Sequence, residues 1–534
     1  MEKEYLLREK PLKALWLFAL PMMVGNLFQQ FYTMADSMIV GRFVGEDALA
    51  AIGASYALTN VFICIAIGGG VGAGVLTGRY FGAREYLRLR LCIRTALMTF
   101  LVLSLLLSAF GLLFCSAILR ALHTPGNVLP MASAYLMIYF LGLPFLFLYN
   151  VLSAMFNALG RSRVPLYLLI FSSALNIGLD LCLVCGLKLG IEGAAWATLA
   201  AQTVSAVLSF LLFRRTLNQC TAPGTVPLYA TLFSLTELAA ITRITLPSIF
   251  QQATVSIGAM LVQAVINPFG SQVLAGYAAA SRLESFCIVP MSALGQAMSA
   301  YTSQNLGAAG KAIVSTEPLS QAHDTAQKNL SSPEADAETS LHYIKRVRQG
   351  YRAALALAGG FAVLLFIFLL LSARPLIASF LGPGGTNLAL ETGVQYLHFI
   401  NFFFALIGLK MCTDGVLRGA ADMGIFTLAN LANLTFRVLF AALLAPRFGA
   451  AFVWYAIPLG WLLNSLISGY EYRSGRWLPL LISIIGADHR CNRYTKDSNQ
   501  NDIKHKDNRR KDQSRLKIIG LALLFLAAEG PHKH

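Results

Sequence analysis

Charge is what this chain has little of. Only 13% of its 534 residues are Asp, Glu, Lys or Arg, against about a quarter in a typical soluble domain. Hydrophobic residues make up 56% and the mean hydropathy is +0.61, which excludes an ordinary soluble globule. Signatures of chemistry are missing too. There is no HExxH and no GxSxG, so neither that metal set nor that activated nucleophile marks an enzyme, and no cofactor is expected. The opening MEKEYLLREKPLKALWLFALP leads into a long span instead of a brief apolar stretch with a small-residue cleavage site, so no removable signal peptide is predicted. The nine Cys lie mostly in apolar segments, where Cys packs as a small hydrophobe. Cys182 and Cys185 form a CxxC with no second pair or His nearby, which reads as core packing.

What the chain has instead is apolar runs of the roughly 20 residues that cross a bilayer. About twelve are predicted, at 13–40, 48–78, 91–114, 130–158, 164–187, 190–213, 239–266, 273–305, 350–373, 388–417, 423–445 and 448–471. The net charge of +16 falls on alternate connections. One set carries Arg79, Arg84, Arg88, Arg90 and Arg94, then Arg161 and Arg163, Arg214, Arg215 and Arg243, Lys345, Arg346, Arg348 and Arg352, and Arg473 and Arg476. The other set has only Arg42, Arg120, Lys188, Arg374 and Arg447. The positive-inside rule then puts the first set and both termini in the cytoplasm of a multi-pass protein of the cell membrane. The basic balance is a topology signal, and nucleic acid is not expected as a partner.

Two stretches depart from this pattern. Residues 312–342 are rich in Ser, Ala, Glu and Asp and predict a flexible cytoplasmic insert. The tail from about 476 to 534 is polar and basic, and its closing IIGLALLFLAA is too short for a span, suggesting weak association with the membrane surface.

The chain also repeats. Leu20-Pro21 matches Leu246-Pro247 at an offset of 226 residues; after one gap the offset is 225, pairing Leu49-Ala50 with Leu274-Ala275 and Gly82-Ala83 with Gly307-Ala308. Gly70, Gly74, Gly78 and Gly82 form a small-residue stripe that lets a neighbouring helix approach closely. Their counterparts Gly295, Ser299, Ser303 and Gly307 are also small. The predicted fold is an all-α membrane protein with about twelve transmembrane helices in two six-helix lobes related by a pseudo-twofold axis along the membrane normal. The lobes are 1–225 and 226–475, with 476–534 as tail.

Ionisable groups inside spans are costly and therefore candidates for function. Asn176 and Asp180 are four residues apart and share a helix face. Asp180 lies nine residues before the turn near Leu189 and Thr198 nine after it, so antiparallel helices bring both to one depth, about 13 Å from the turn. Asp36 approaches from the first span. Two carboxylates, an amide oxygen and a hydroxyl suit a hard cation such as Na+, and they suit a proton equally well. In the second half Arg437 falls at the position of Asn176 when Arg161 is laid on Asp422. Glu284, Asp414 and Arg437 are the candidates for a second site, and Lys410, Asp414 and Arg418, spaced by four, predict a ladder of ion pairs. Pro21 and Pro247 occupy matching places where a proline bends a helix. Phe28, Phe31, Tyr32, Met34 and Tyr139 are candidate lining for a substrate cleft between the lobes.

The stretches FALPMMVGNLFQQFYTMADSMIVGRFVGEDALAAIGAS, NALGRSRVP, LNIGLDLCLVCGLKLGIEGAAWATLAAQ and VLRGAADMG resemble the bacterial and archaeal multidrug and toxic compound extrusion (MATE) transporters, over roughly residues 10–480. The resemblance implies two six-helix lobes and export of organic, often cationic, compounds against inward flow of Na+ or H+. It implies that Asp36 corresponds to the family's first-span acid, that Asn176, Asp180 and Thr198 correspond to the polar cation site of the first lobe, and that Pro21 is a bending proline. The function expected is a secondary antiporter, working as a monomer in the bilayer. The rival within the superfamily is a flippase for lipid-linked sugars, for which Arg282, Lys410 and Arg437 would supply cationic groups.

Overall fold

In a computed structural model, residues 4–121, 124–126, 128–220, 233–314, 333–382 and 385–478 are described. They form a helical bundle without strands among the described residues. A short turn of helix, α1 (Tyr5–Arg8), precedes α2 (Pro11–Phe43), α3 (Glu46–Gly82), α4 (Tyr86–Ala121), α5 (Leu129–Ala158), α6 (Arg163–Asp180) and α7 (Gly190–Cys220). The second half holds α8 (Leu235–Ile266), α9 (Ser271–Val314), α10 (Pro333–Leu381), α11 (Asn387–Asn401), α12 (Phe404–Gly419), α13 (Met423–Phe448) and α14 (Ala451–Ser474). Local chemistry sets several starts. Pro11 opens α2, where a missing N–H costs nothing. Ser234 caps α8 by accepting from the Glu237 backbone N–H at 3.3 Å, the Ser-x-x-Glu pattern of a capping box.

Ten of these helices are long and apolar enough to cross a membrane, and the α11–α12 pair, bent by 55°, makes an eleventh. The twelfth expected span, 273–305, lies within α9. Its Ser, Thr and Gln residues make it less apolar than the others, and it packs against α2, α3, α10, α11 and α12, so fewer of its side chains need to face lipid. Of the expected insert 312–342, residues 312–314 close α9 and 333–342 open α10, while 315–332 lie outside the described residues. The tail beyond Leu478 lies outside them as well.

The repeat is visible in the backbone. Gly45 and Gly270, 225 residues apart, both have positive φ (115° and 97°) just before α3 and α9. Gly160 and Ala421 (78° and 61°), and Lys188 and Gly449 (56° and 104°), do the same at the 261-residue offset that lays Arg161 on Asp422. The difference between the two offsets is extra chain, and it falls between the end of α9 and the start of α11, where the insert sits. The small-residue stripe works as close packing. In the first half Gly70 lies against the carbonyl of Asn150 and Gly74 against that of Ala154; in the second Gly295 lies against Met411 and Gly419 against Ser299. The two halves meet where α3 and α9 cross. A Cβ on Gly82 would overlap the carbonyl oxygen of Gln304, and one on Gly307 would overlap that of Arg79. Gln304 is Arg79 plus 225 and Gly307 is Gly82 plus 225, so the contact is reciprocal, as a twofold relation requires.

Candidate functional site

In the first half, α6 ends at Asp180 and the chain continues through one wider π turn, Leu181–Gly186. Such turns often accompany functional positions in helices. Lys188 and Gly190 then take left-handed conformations that reverse the chain into α7. The start of α7 lies tightly against the π turn, with Gly193 beside the Leu183 carbonyl. This hairpin sets Thr198 opposite Asn176 and Asp180. In the amide orientation that satisfies both neighbours, Asn176 donates to Asp180 Oδ2 at 2.9 Å. Its carbonyl accepts from Thr198 Oγ1 at 3.2 Å and from the Thr198 backbone N–H at 3.1 Å. Asn176 is 1% exposed and Asp180 0%. A carboxylate buried this way, with an amide and a hydroxyl beside it, suits a small cation or a proton.

Thr198 also borders a small cavity between α5 and α7, lined by Tyr135, Tyr139, Gly142, Ala195, Leu199 and Gln202. Tyr139 donates from its hydroxyl to the Thr59 carbonyl at 3.3 Å. Tyr139 therefore belongs to the interior of the first lobe, apart from the other expected cleft residues. Phe28, Phe31 and Met34 are exposed on α2 and Tyr32 is half-buried. Phe31 reaches the other lobe, with its ring centroid 5.6 Å from that of Phe286 on α9. Asp36 lies on α2, which packs on α6, the π turn and α7; its side chain falls outside the described residues. Pro21 and Pro247 both sit inside continuous helices, α2 and α8.

The three second-half candidates form two clusters instead of one site. On α12, the Lys410 ammonium lies 2.8 Å from Asp414 Oδ2 and donates to Asn430 Oδ1 at 3.1 Å. Ser468 donates to Asp414 Oδ1 at 3.0 Å, and all four residues are buried. The ladder expected from the spacing of four stops there. Arg418 turns to α9 and donates to Ser299 Oγ and to the Gly295 carbonyl, both at 3.4 Å, because α9 packs closely against α12 and offers those acceptors. Elsewhere, Glu284 on α9 accepts a hydrogen bond from the Tyr396 hydroxyl of α11. Arg437 lies close enough to act on both Glu284 and Tyr277, and Tyr396 stands edge-on to Tyr277 and Trp454. Tyr396, Asn430 and Ser468 escaped the sequence reading, since neutral polar residues in spans carry no charge signal. Cys182 is exposed and not packed in a core; among the described residues no group of His, Cys, Asp and Glu could hold a metal ion.

The chain is similar to known proteins along most of its length. The family model MatE matches residues 21–182 and 247–316, two segments that begin at the repeat-related Pro21 and Pro247. "Probable multidrug resistance protein YpnP" of Bacillus subtilis (strain 168) is 27% identical over 468 residues, 87% of this chain and 96% of that protein. "Multidrug export protein MepA" of Staphylococcus haemolyticus (strain JCSC1435) is 27% identical over 274 residues, 51% of this chain and 60% of that protein. Among solved structures, "Crystal structure of MATE in complex with MaL6" superposes with a TM-score of 0.77 at 22% identity, covering 91% of this chain and 100% of that one. At that identity the structural likeness carries the fold.

Proposed function

Because the chain belongs to the multidrug and toxic compound extrusion family of multi-span membrane transporters, we propose that it is a secondary antiporter. It exports organic, amphipathic, cationic compounds from the cytoplasm in exchange for inward H+ or Na+. The observation that carries this reading is the buried Asn176–Asp180–Thr198 cluster beside α2, the helix of Asp36. The coupling ion enters from outside, neutralises Asp36 and Asp180, and favours the state that releases cargo outward; the recharged acids favour reloading. The lobes divide near residue 225, and cargo lies between them against Phe28, Phe31, Tyr32 and Met34, whose aromatic and thioether surfaces suit cations of varied shape.

The flippase reading requires cationic groups free to meet a pyrophosphate. Of the three cations named for it, Lys410 is already paired with Asp414, which weighs against it. The test is efflux of a fluorescent organic cation from reconstituted vesicles under separately imposed Na+ and pH gradients. Gradient-driven efflux that is lost in folded Asp36→Asn and Asp180→Asn supports antiport and identifies the ion. Intact protein that moves no cation under either gradient overturns the reading.

A further inference from the structure

The reciprocal packing of α3 and α9 carries a second reciprocal feature. Arg79 Nη2 donates to the carbonyl of Ala420, the residue that closes α12, at 2.9 Å. Gln304 Nε2 donates to the carbonyl of Ala158, the last residue of α5, at 2.6 Å. Arg79 and Gln304 are repeat equivalents at the 225 offset, and Ala420 is one residue past the equivalent of Ala158 at the 261 offset. Each lobe thus reaches across the interface and caps a helix C-terminus of the other. Those carbonyls are orphans of their own helices and want a donor, and Arg79 adds a positive charge at the negative end of α12.

Both caps lie at the end of the bundle where Arg84, Arg161 and Arg163 join the helices. Farther along the interface, polar contact between the lobes is thinner: Asn60 donates to Ser256 at 2.8 Å, and Phe31 meets Phe286. The basic end is reinforced by α1, which touches both halves. Glu4 pairs with Arg84 at 2.8 Å, and the Leu6 carbonyl accepts from Asn305 at 3.4 Å and from Arg346 at 3.3 Å.

We propose that Arg79 and Gln304 are a matched pair of gating residues whose cross-lobe caps hold the basic face closed and break together when cargo loads from that side. A twofold-related pair is lost in one motion, since separating α3 from α9 there removes both donors from both helix ends. The two caps are unequal, because a charged donor contributes more than a neutral one, so Arg79 sets most of the balance between closed and open states.

The proposal rests on alternating access by two lobes, yet its test needs neither substrate nor coupling ion. Spin labels on non-canonical side chains at positions 87 and 476, exposed on opposite halves at the basic end, would report the distance across this face in full-length protein in lipid nanodiscs. The closed distance is expected to dominate the unmodified protein. Arg79→Gln raises the open fraction about tenfold, Gln304→Ala raises it less, and Arg79→Lys, which keeps a charged donor, raises it least. Should Arg79→Gln fail to fold, Gln304→Ala, which removes no charge, decides the matter. Unchanged distance distributions in the folded variants would overturn the proposal, whatever the efflux assays show.

Discussion

Lys410 and Asp414, one helical turn apart on α12, form an ion pair at 2.8 Å with both side chains under a tenth exposed. Asn430 and Ser468 occupy further positions around it. The carboxylate thus faces the protein's own ammonium, and removing either partner strands a buried charge. Lys410→Met or Asp414→Leu alone is expected to destabilise by about 3–5 kcal/mol, whereas the double change recovers most of the loss. Thermal unfolding followed by size-exclusion checks this. Single variants that unfold at the unmodified temperature would deny the pair a structural role.

In the first lobe the hydroxyl of Thr198 is separable from its volume. Thr198→Val keeps the shape but removes the donor to Asn176, a hydrogen bond contributing about 0.5–1.5 kcal/mol. The expected result is a roughly three- to tenfold rise in the ion concentration for half-maximal efflux, with the maximal rate little changed and Thr198→Ser close to normal. If Thr198→Val instead lowered the maximal rate at unchanged ion dependence, the hydroxyl would not belong to the ion's site.

The Asn176–Asp180–Thr198 grouping was legible because every step of it is local. Four residues make one helix face, and a short hairpin fixes the depth of the next helix. The same holds for the glycine stripe, whose period and offset are printed in the sequence. Pairings set by helix rotation were not legible. Glu284 finds Tyr396 across 112 residues and Asp414 finds Ser468 across 54, and no spacing rule reaches that far. Arg418 shows how a correct spacing is overruled, because α9 offers acceptors nearer to hand than Asp414. Tyr139, grouped with the cleft by residue type alone, turned out to face Thr59 within its own lobe.

The crossing of α3 and α9 makes a contrast among glycines. At Gly82 and Gly307 an added methyl meets backbone of the opposite lobe, which cannot swing away, so Gly82→Ala and Gly307→Ala should each cost about 1–3 kcal/mol. Gly360, in α10, has nothing within 4 Å of an added Cβ, and Gly360→Ala should stabilise by up to about 1 kcal/mol. Melting temperatures of the purified variants read this out. Equal effects at all three positions would mean that the lobes are not in contact there.

Two carboxyls outside the spans respond to pH with opposite signs. Asp422 stands at the start of α13, and burial raises its carboxyl above the ordinary 3.8 although the Ile425 backbone hydrogen bond opposes this. The folded state therefore holds that proton more tightly than the unfolded state, and this contribution to stability is lost as pH rises from 3.8 through the raised folded value. For Glu4 burial pushes the same way, but hydrogen bonds and charge from Arg84 and Arg8 outweigh it and bring the carboxyl below 4.5. Its contribution is present above 4.5 and is lost as pH falls through the lowered folded value. Asp422→Asn, which removes the titrating group at nearly unchanged shape, is expected to raise the melting temperature at pH 7, with the gain fading toward pH 4. Glu4→Gln should lower it at pH 7, with the loss fading in acid. Melting curves over pH 4–8 test both signs together, and a gain from Asp422→Asn that grew toward low pH would show that burial does not govern this carboxyl.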